Sequence, residues 1–180
     1  MAKPLLLVRH PATPSCASTL PVWVGRDGRM LRITYRIPGD TKGLVFPPKQ
    51  DTEIRNNLWE HTCFEIFIRP VGAAEYIELN FSPSTQWAAY RFEDYRKGMR
   101  PFSVGYVPKI VSTPWDNRYE LSAGLELPVE WETLPWRANI AAVLEEQDGT
   151  RSYWALAHSE GEPDFHHPDC FRLELPAVPN

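Results

Sequence analysis

Glu65 and Glu78 are the residues of this 180-residue sequence whose type and setting could do chemistry most directly. Two carboxyls flanking a sugar are the machinery of glycoside hydrolysis, and the same two groups can instead accept hydrogen bonds from a polar ligand. They stand in a stretch, residues 58–92, that also supplies Trp59, Glu75, Asn80, Gln86, Trp87 and Arg91. An indole face packs against the C–H bonds of a polyol, while carboxylate, amide and guanidinium groups bond its hydroxyls in fixed directions. The sequence holds seven tryptophans, so a role as a binding wall competes with ordinary core packing at each of them.

Strands must position these groups. In residues 62–69, Phe64, Ile66 and Ile68 alternate with Cys63, Glu65, Phe67 and Arg69, the period-two pattern of a strand, which points Glu65 away from the core. Residues 75–82 repeat the arrangement with Ile77, Leu79 and Phe81 on one side and Tyr76, Glu78 and Asn80 on the other. Residues 86–92 can place Trp87, Ala89 and Arg91 together, so pairing of the three strands would let Glu65, Glu78, Asn80, Trp87 and Arg91 share one surface.

Further strands are predicted at 5–9, 21–25, 30–37, 107–113, 118–127, 137–145, 152–157 and 170–175, with hairpin turns at Asp27-Gly28 and Asp148-Gly149. Residues 39–57 lack alternation and read as a long loop; helical periodicity is confined to short turns at 129–134 and 92–97. The economical solution is an all-β fold with little helix, a two-sheet antiparallel β-sandwich occupying residues 1–180 as one domain.

A net charge of -4 with no Lys/Arg run argues against a nucleic-acid partner. The apolar run at residues 5–8 is too short for a secretory leader or a membrane span, which sets a cytoplasmic location as the expectation. Cys16, Cys63 and Cys170 are odd in number and widely spaced, as free buried thiols would be. Neighbouring His166 and His167 point to opposite sides of an extended chain, so they are expected as loop residues; no cofactor or metal is assigned, with haem or metal binding through histidine kept as an alternative. The string LLLVRHPAT at residues 5–13 is similar to the start of histidine phosphatases, but Pro11 replaces their glycine and the chain lacks helices for that fold, leaving His10 as a surface or loop residue. No GxSxG nucleophile motif occurs.

Three segments carry a stronger resemblance: LWEHTCFEIFI at 58–68, YIELNFSPSTQWAAYRF at 76–92 and HPDCFRLELP at 167–176. Together they resemble the DOMON-like β-sandwiches similar to family 9 carbohydrate-binding modules, a jelly-roll fold in which two aromatic side chains clamp a sugar. The resemblance implies a non-catalytic ligand-binding domain for a saccharide or similar small polar ligand, with a haem-binding DOMON type and a paired-glutamate hydrolase as alternatives. It matches Trp59 to the first clamp aromatic and Glu65 to the strand carboxylate, and makes Trp154 the candidate second aromatic. Strand position adds Arg91 as the guanidinium and Asn80 or Gln86 as the amide. His61-Thr62 stands where the family has an acid after the first tryptophan.

Overall fold

The computed structural model describes residues 3–177. Its first sheet runs in the order β8 (Lys109–Trp115), β9 (Arg118–Glu126), β3 (Met30–Pro38), β2 (Leu20–Asp27) and β1 (Leu5–Arg9). The second continues from β1 through β11 (Arg151–Ala155), β10 (Trp136–Glu145), β4 (Cys63–Pro70), β5 (Tyr76–Phe81), β6 (Trp87–Phe92) and β7 (Arg100–Pro101). Neighbouring strands are antiparallel throughout, and β12 (Leu173–Leu175) lies along β10 beside its Trp136–Ala138 end, beyond the part of β10 that pairs with β11. The β1 strand serves both sheets, pairing Leu5–Leu7 with β2 and Val8–Arg9 with β11.

Local sequence accounts for these elements. Gly28, with φ +57°, turns β2 into β3 as a positive-φ residue must, and Gly149, with φ +84°, does the same between β10 and β11. Along β3 and β9 every second residue is buried, so Leu31, Ile33, Tyr35 and Ile37 meet Tyr119, Leu121, Ala123 and Leu125 on the inner face of the first sheet. The second sheet answers with Phe64, Ile66 and Ile68 of β4 and Ile77, Leu79 and Phe81 of β5. Each such side chain contributes roughly 1.5–3 kcal/mol by leaving water. Tyr35 spans the sandwich, its hydroxyl donating to the Glu65 carbonyl at 2.7 Å, and its ring lies 4.9 Å from Phe64.

In the first sheet one face is solvated. In the second sheet both faces are buried: every residue of β5, and all but Arg69 in β4, is shielded. The outer face is covered by the 3-10 turn Leu58–Glu60, by the turn at 93–99 and by the segment 158–171. Three expectations change here. Residues 92–97 form no helix; the Glu93 N–H donates to the Lys97 carbonyl at 3.0 Å and the Lys97 N–H to the Asp94 carbonyl at 2.9 Å, closing a tight turn with Arg96 and Gly98 at positive φ. His10 sits in a loop but is buried, with its ring 4.9 Å from that of His158. Cys63 and Cys170 are buried free thiols as expected, whereas Cys16 is exposed. No helix among the described residues is long and apolar enough to cross a membrane.

Candidate functional site

Strand register builds a trough across the outer face of the second sheet. One cross-strand row reads Ala155, Ala141, Glu65, Asn80 and Ala88, from β11 to β6. Three of those five positions end at Cβ, so the row is lower than its neighbours. On one side runs Tyr153, Val143 and Cys63; on the other, Asn139, Phe67, Glu78 and Tyr90. The resulting cleft has a volume of about 530 Å³. Trp59 and Tyr153 wall it, Glu65 and Glu78 rise from its floor, and Arg96, Phe165 and His166 reach in from the covering loops.

Glu65, Glu78 and Asn80 are 3%, 5% and 0% exposed, which places two carboxyls and an amide almost out of water. Asn80 Nδ2 donates to Glu78 Oε1 at 2.8 Å, while Glu65 Oε1 and Asn80 Oδ1 have no partner. Loss of solvent, followed by the nearby Glu78, holds the Glu65 carboxyl well above the usual carboxylate range. Burial also lifts Glu78, to about 7, against the opposing pull of the Asn80 amide and of Arg96. The two acids sit two positions apart on adjacent strands and titrate as a pair.

A chain of contacts fixes the cationic side. Arg96 pairs with Asp164 at 2.7 Å, and Tyr95 donates a short hydrogen bond to the same carboxylate. The Arg96 backbone N–H donates to the Tyr76 hydroxyl at 3.2 Å, and that hydroxyl lies 2.8 Å from His166 Nδ1. Burial, then Arg96, pushes His166 down to about 4, so its ring is neutral at ordinary pH. The other ring nitrogen, Nε2, faces Glu78 Oε2 at 3.7 Å.

Of the residues singled out from the sequence, Trp59 and Glu65 line the cleft and Asn80 lies beside Glu78 under it. Trp59 is half-buried on the 3-10 turn, its ring edge-on to Tyr90 at 5.9 Å. Four others are placed elsewhere. Arg91 and Trp87 oppose Ile77 and Phe81 in register, which turns them to the inner side of the sheet, and Arg91 is paired to Glu75 at 2.7 Å. Trp154 belongs to the inner core, its Nε1 donating to Ser152 Oγ at 3.0 Å; its neighbour Tyr153 takes the wall position instead. Gln86 donates to Glu53 at 3.0 Å and borders a separate polar cleft with His61 and Ser84.

Sequence reasoning did not find Tyr90, Arg96, Tyr153 and His166. The alanine pairs at 88–89 and 141–142 were a usable signal, because a strand buried on both faces rarely spends its positions on side chains that short unless space is wanted above them. Among the described residues, no group of three or more His, Cys, Asp or Glu could hold a metal ion.

No protein-family profile matches the sequence, and no curated protein matches it. Solved structures do share the fold. A protein from Bacteroides uniformis provisionally described as carbohydrate-binding superposes with a TM-score of 0.68 at 16% identity, over 94% of this chain and 83% of that one. A family 9 carbohydrate-binding module from Caldicellulosiruptor kristjanssonii, solved in complex with cellotriose, superposes with a TM-score of 0.54 at 12% identity, over 88% of this chain and 74% of that one. The likeness shows that the chain has the all-β sandwich fold of these proteins.

Proposed function

We propose that this protein binds a saccharide or a comparable small polyol, without turning it over, in the cleft on the outer face of the second sheet. The observation that carries the reading is the alanine trough: a hollow walled by Trp59 and Tyr153 and floored by Glu65, whose Oε1 lacks a partner. Aromatic walls take the C–H faces of a sugar ring, and desolvated acceptors on the floor take its hydroxyls. The description of the Bacteroides protein and the cellotriose held by the Caldicellulosiruptor module support a saccharide as the ligand class.

The glutamate pair suits binding better than hydrolysis. A glycosidase sets one carboxyl on each flank of the scissile bond and drives their acidities apart. Glu65 and Glu78 stand side by side on one floor, and burial moves both in the same direction.

Titration of intrinsic tryptophan fluorescence against a panel of mono- and oligosaccharides tests the proposal. A saturable change that is lost in Trp59→Ala and in Tyr153→Ala is the expected result. A saturable change that persists in both variants would remove the cleft as the site, and no change with any sugar would remove the function.

A further inference from the structure

Polar groups on and beneath the floor of the cleft are unevenly matched. Glu65 Oε1, Asn80 Oδ1 and, one row away, Asn139 Oδ1 are buried acceptors without partners, whereas the amide hydrogens beside them are used: Asn80 Nδ2 on Glu78 and Asn139 Nδ2 on the Phe165 carbonyl at 2.8 Å. Glu65 lines the cleft while being 3% exposed, so a buried carboxyl with one oxygen lacking a partner borders the space a ligand would fill. Leaving such an acceptor unmade costs about 1–3 kcal/mol. A hydroxyl brings one donor hydrogen and two lone pairs of its own; an ammonium brings three donors and no acceptor.

Charge points the same way. Three carboxyls line the cleft, those of Glu60, Glu65 and Glu78, against the guanidiniums of Arg96 and Arg151. Asp164 neutralises Arg96 at 2.7 Å, and His166 is held neutral by burial and by Arg96. Tyr35, Cys63, Tyr76 and Tyr90, the phenols and thiol around the pair, stay protonated at neutral pH, each raised mainly by burial. The aromatic faces of Trp59 and Tyr153 on the walls add attraction for a cation and for ring C–H bonds.

The geometry points to an amino sugar as the ligand class: a primary ammonium seated on the Glu65 and Glu78 carboxyls, with the sugar ring between Trp59 and Tyr153. The inference rests on the saccharide reading above and narrows it. In the empty cleft the acid pair keeps a proton near neutrality, because burial raises both groups. Seating an ammonium there displaces that proton, so binding is linked to proton release and weakens as pH falls below about 7, where protons compete for the same oxygens. A neutral hexose carries no charge to drive that release.

Calorimetric titration of glucosamine, galactosamine and mannosamine, each against its parent hexose, decides the matter when run near neutral pH in two buffers of different ionisation enthalpy. At least one amino sugar is expected to bind about tenfold or more tighter than its parent, with a net release of protons to buffer. In Glu65→Gln combined with Glu78→Gln, checked for an intact fold by its thermal unfolding, that preference should fall to within about twofold, because both carboxyl charges are gone. Equal affinity for each amino sugar and its parent, without proton release, would overturn the amine assignment and leave the saccharide reading standing. A preference that survives in the double variant would overturn the seat. Binding by none of the six sugars would overturn the amine assignment, while the saccharide reading stands or falls on the oligosaccharide panel above.

Discussion

The inner and outer faces of the second sheet are made of alternate residues on the same strands, yet they are built to different ends. On the inner face Phe64, Ile66, Ile68 and their partners fill all available space with hydrocarbon. On the outer face the same strands present Glu65, Glu78 and Asn80 between alanines, under loops that border the hollow without filling it. Close packing makes the first face stabilising, and desolvated acceptors make the second costly. A chain that keeps two carboxyls where hydrocarbon would hold the sheet together better has a use for them.

Core truncation should give the largest effect separating the two faces. Phe64→Ala and Trp154→Ala remove inner-face bulk, and each is expected to destabilise the fold by about 3–5 kcal/mol in urea unfolding. Trp154→Phe, a milder change, should leave ligand affinity unaltered, since Trp154 packs in the core; a weakened affinity would return it to the site.

Acidity separates the faces next. Glu78 is raised in the folded state to about 7 from an ordinary 4.5, so the fold binds more protons than the unfolded chain between those values. Stability is therefore full below about pH 4.5 and falls as pH rises through about 7. Glu78→Gln should flatten that decline and be more stable than the parent by about 1–3 kcal/mol at about pH 8. Stability that rises over this window would contradict the burial of the pair.

Trp59→Ala should then weaken sugar binding by about 1–3 kcal/mol, roughly tenfold to a hundredfold, while changing unfolding free energy by less than about 1 kcal/mol. A large loss of stability would make Trp59 part of the packing and not of a binding wall. The smallest effect is expected from Arg91→Ala, which breaks a partly exposed pair with Glu75 worth less than about 1 kcal/mol and touches nothing in the cleft.

How much of this was legible in the sequence depended on contrast between the two faces of each strand. Along β3, β4 and β5 apolar and polar residues alternate, and the outward direction of Glu65, Glu78 and Asn80 followed from that alone. The Asp27-Gly28 and Asp148-Gly149 turns placed both hairpins. In β6, WAAYRF is apolar or aromatic on both sides, so parity could not say that Tyr90 faces out with Glu78 while Trp87 and Arg91 face in. Tyr153 and Trp154 pose the same problem, and a shift of one residue exchanges the cleft wall for a core residue. The covering segment at 93–99 reads as a short helical turn and most of 158–171 has no period, and their arrival over the sheet is a tertiary event that local pattern does not encode. The two-residue strand β7 was too short to register.

The strand shared by both sheets has a consequence for the order of assembly. One edge of β1 is completed by β2, a few residues downstream, but the other is completed by β11, with Val8 opposite Ala155. During synthesis the β1–β2 pair can form early, while the far edge of β1 waits for β11 to emerge. Over that interval Leu6 and Val8 border an open row of backbone donors and acceptors, the kind of edge that recruits a second chain. Late closure makes β1 the place where crowding, a slowed ribosome or a chaperone would act first on this fold.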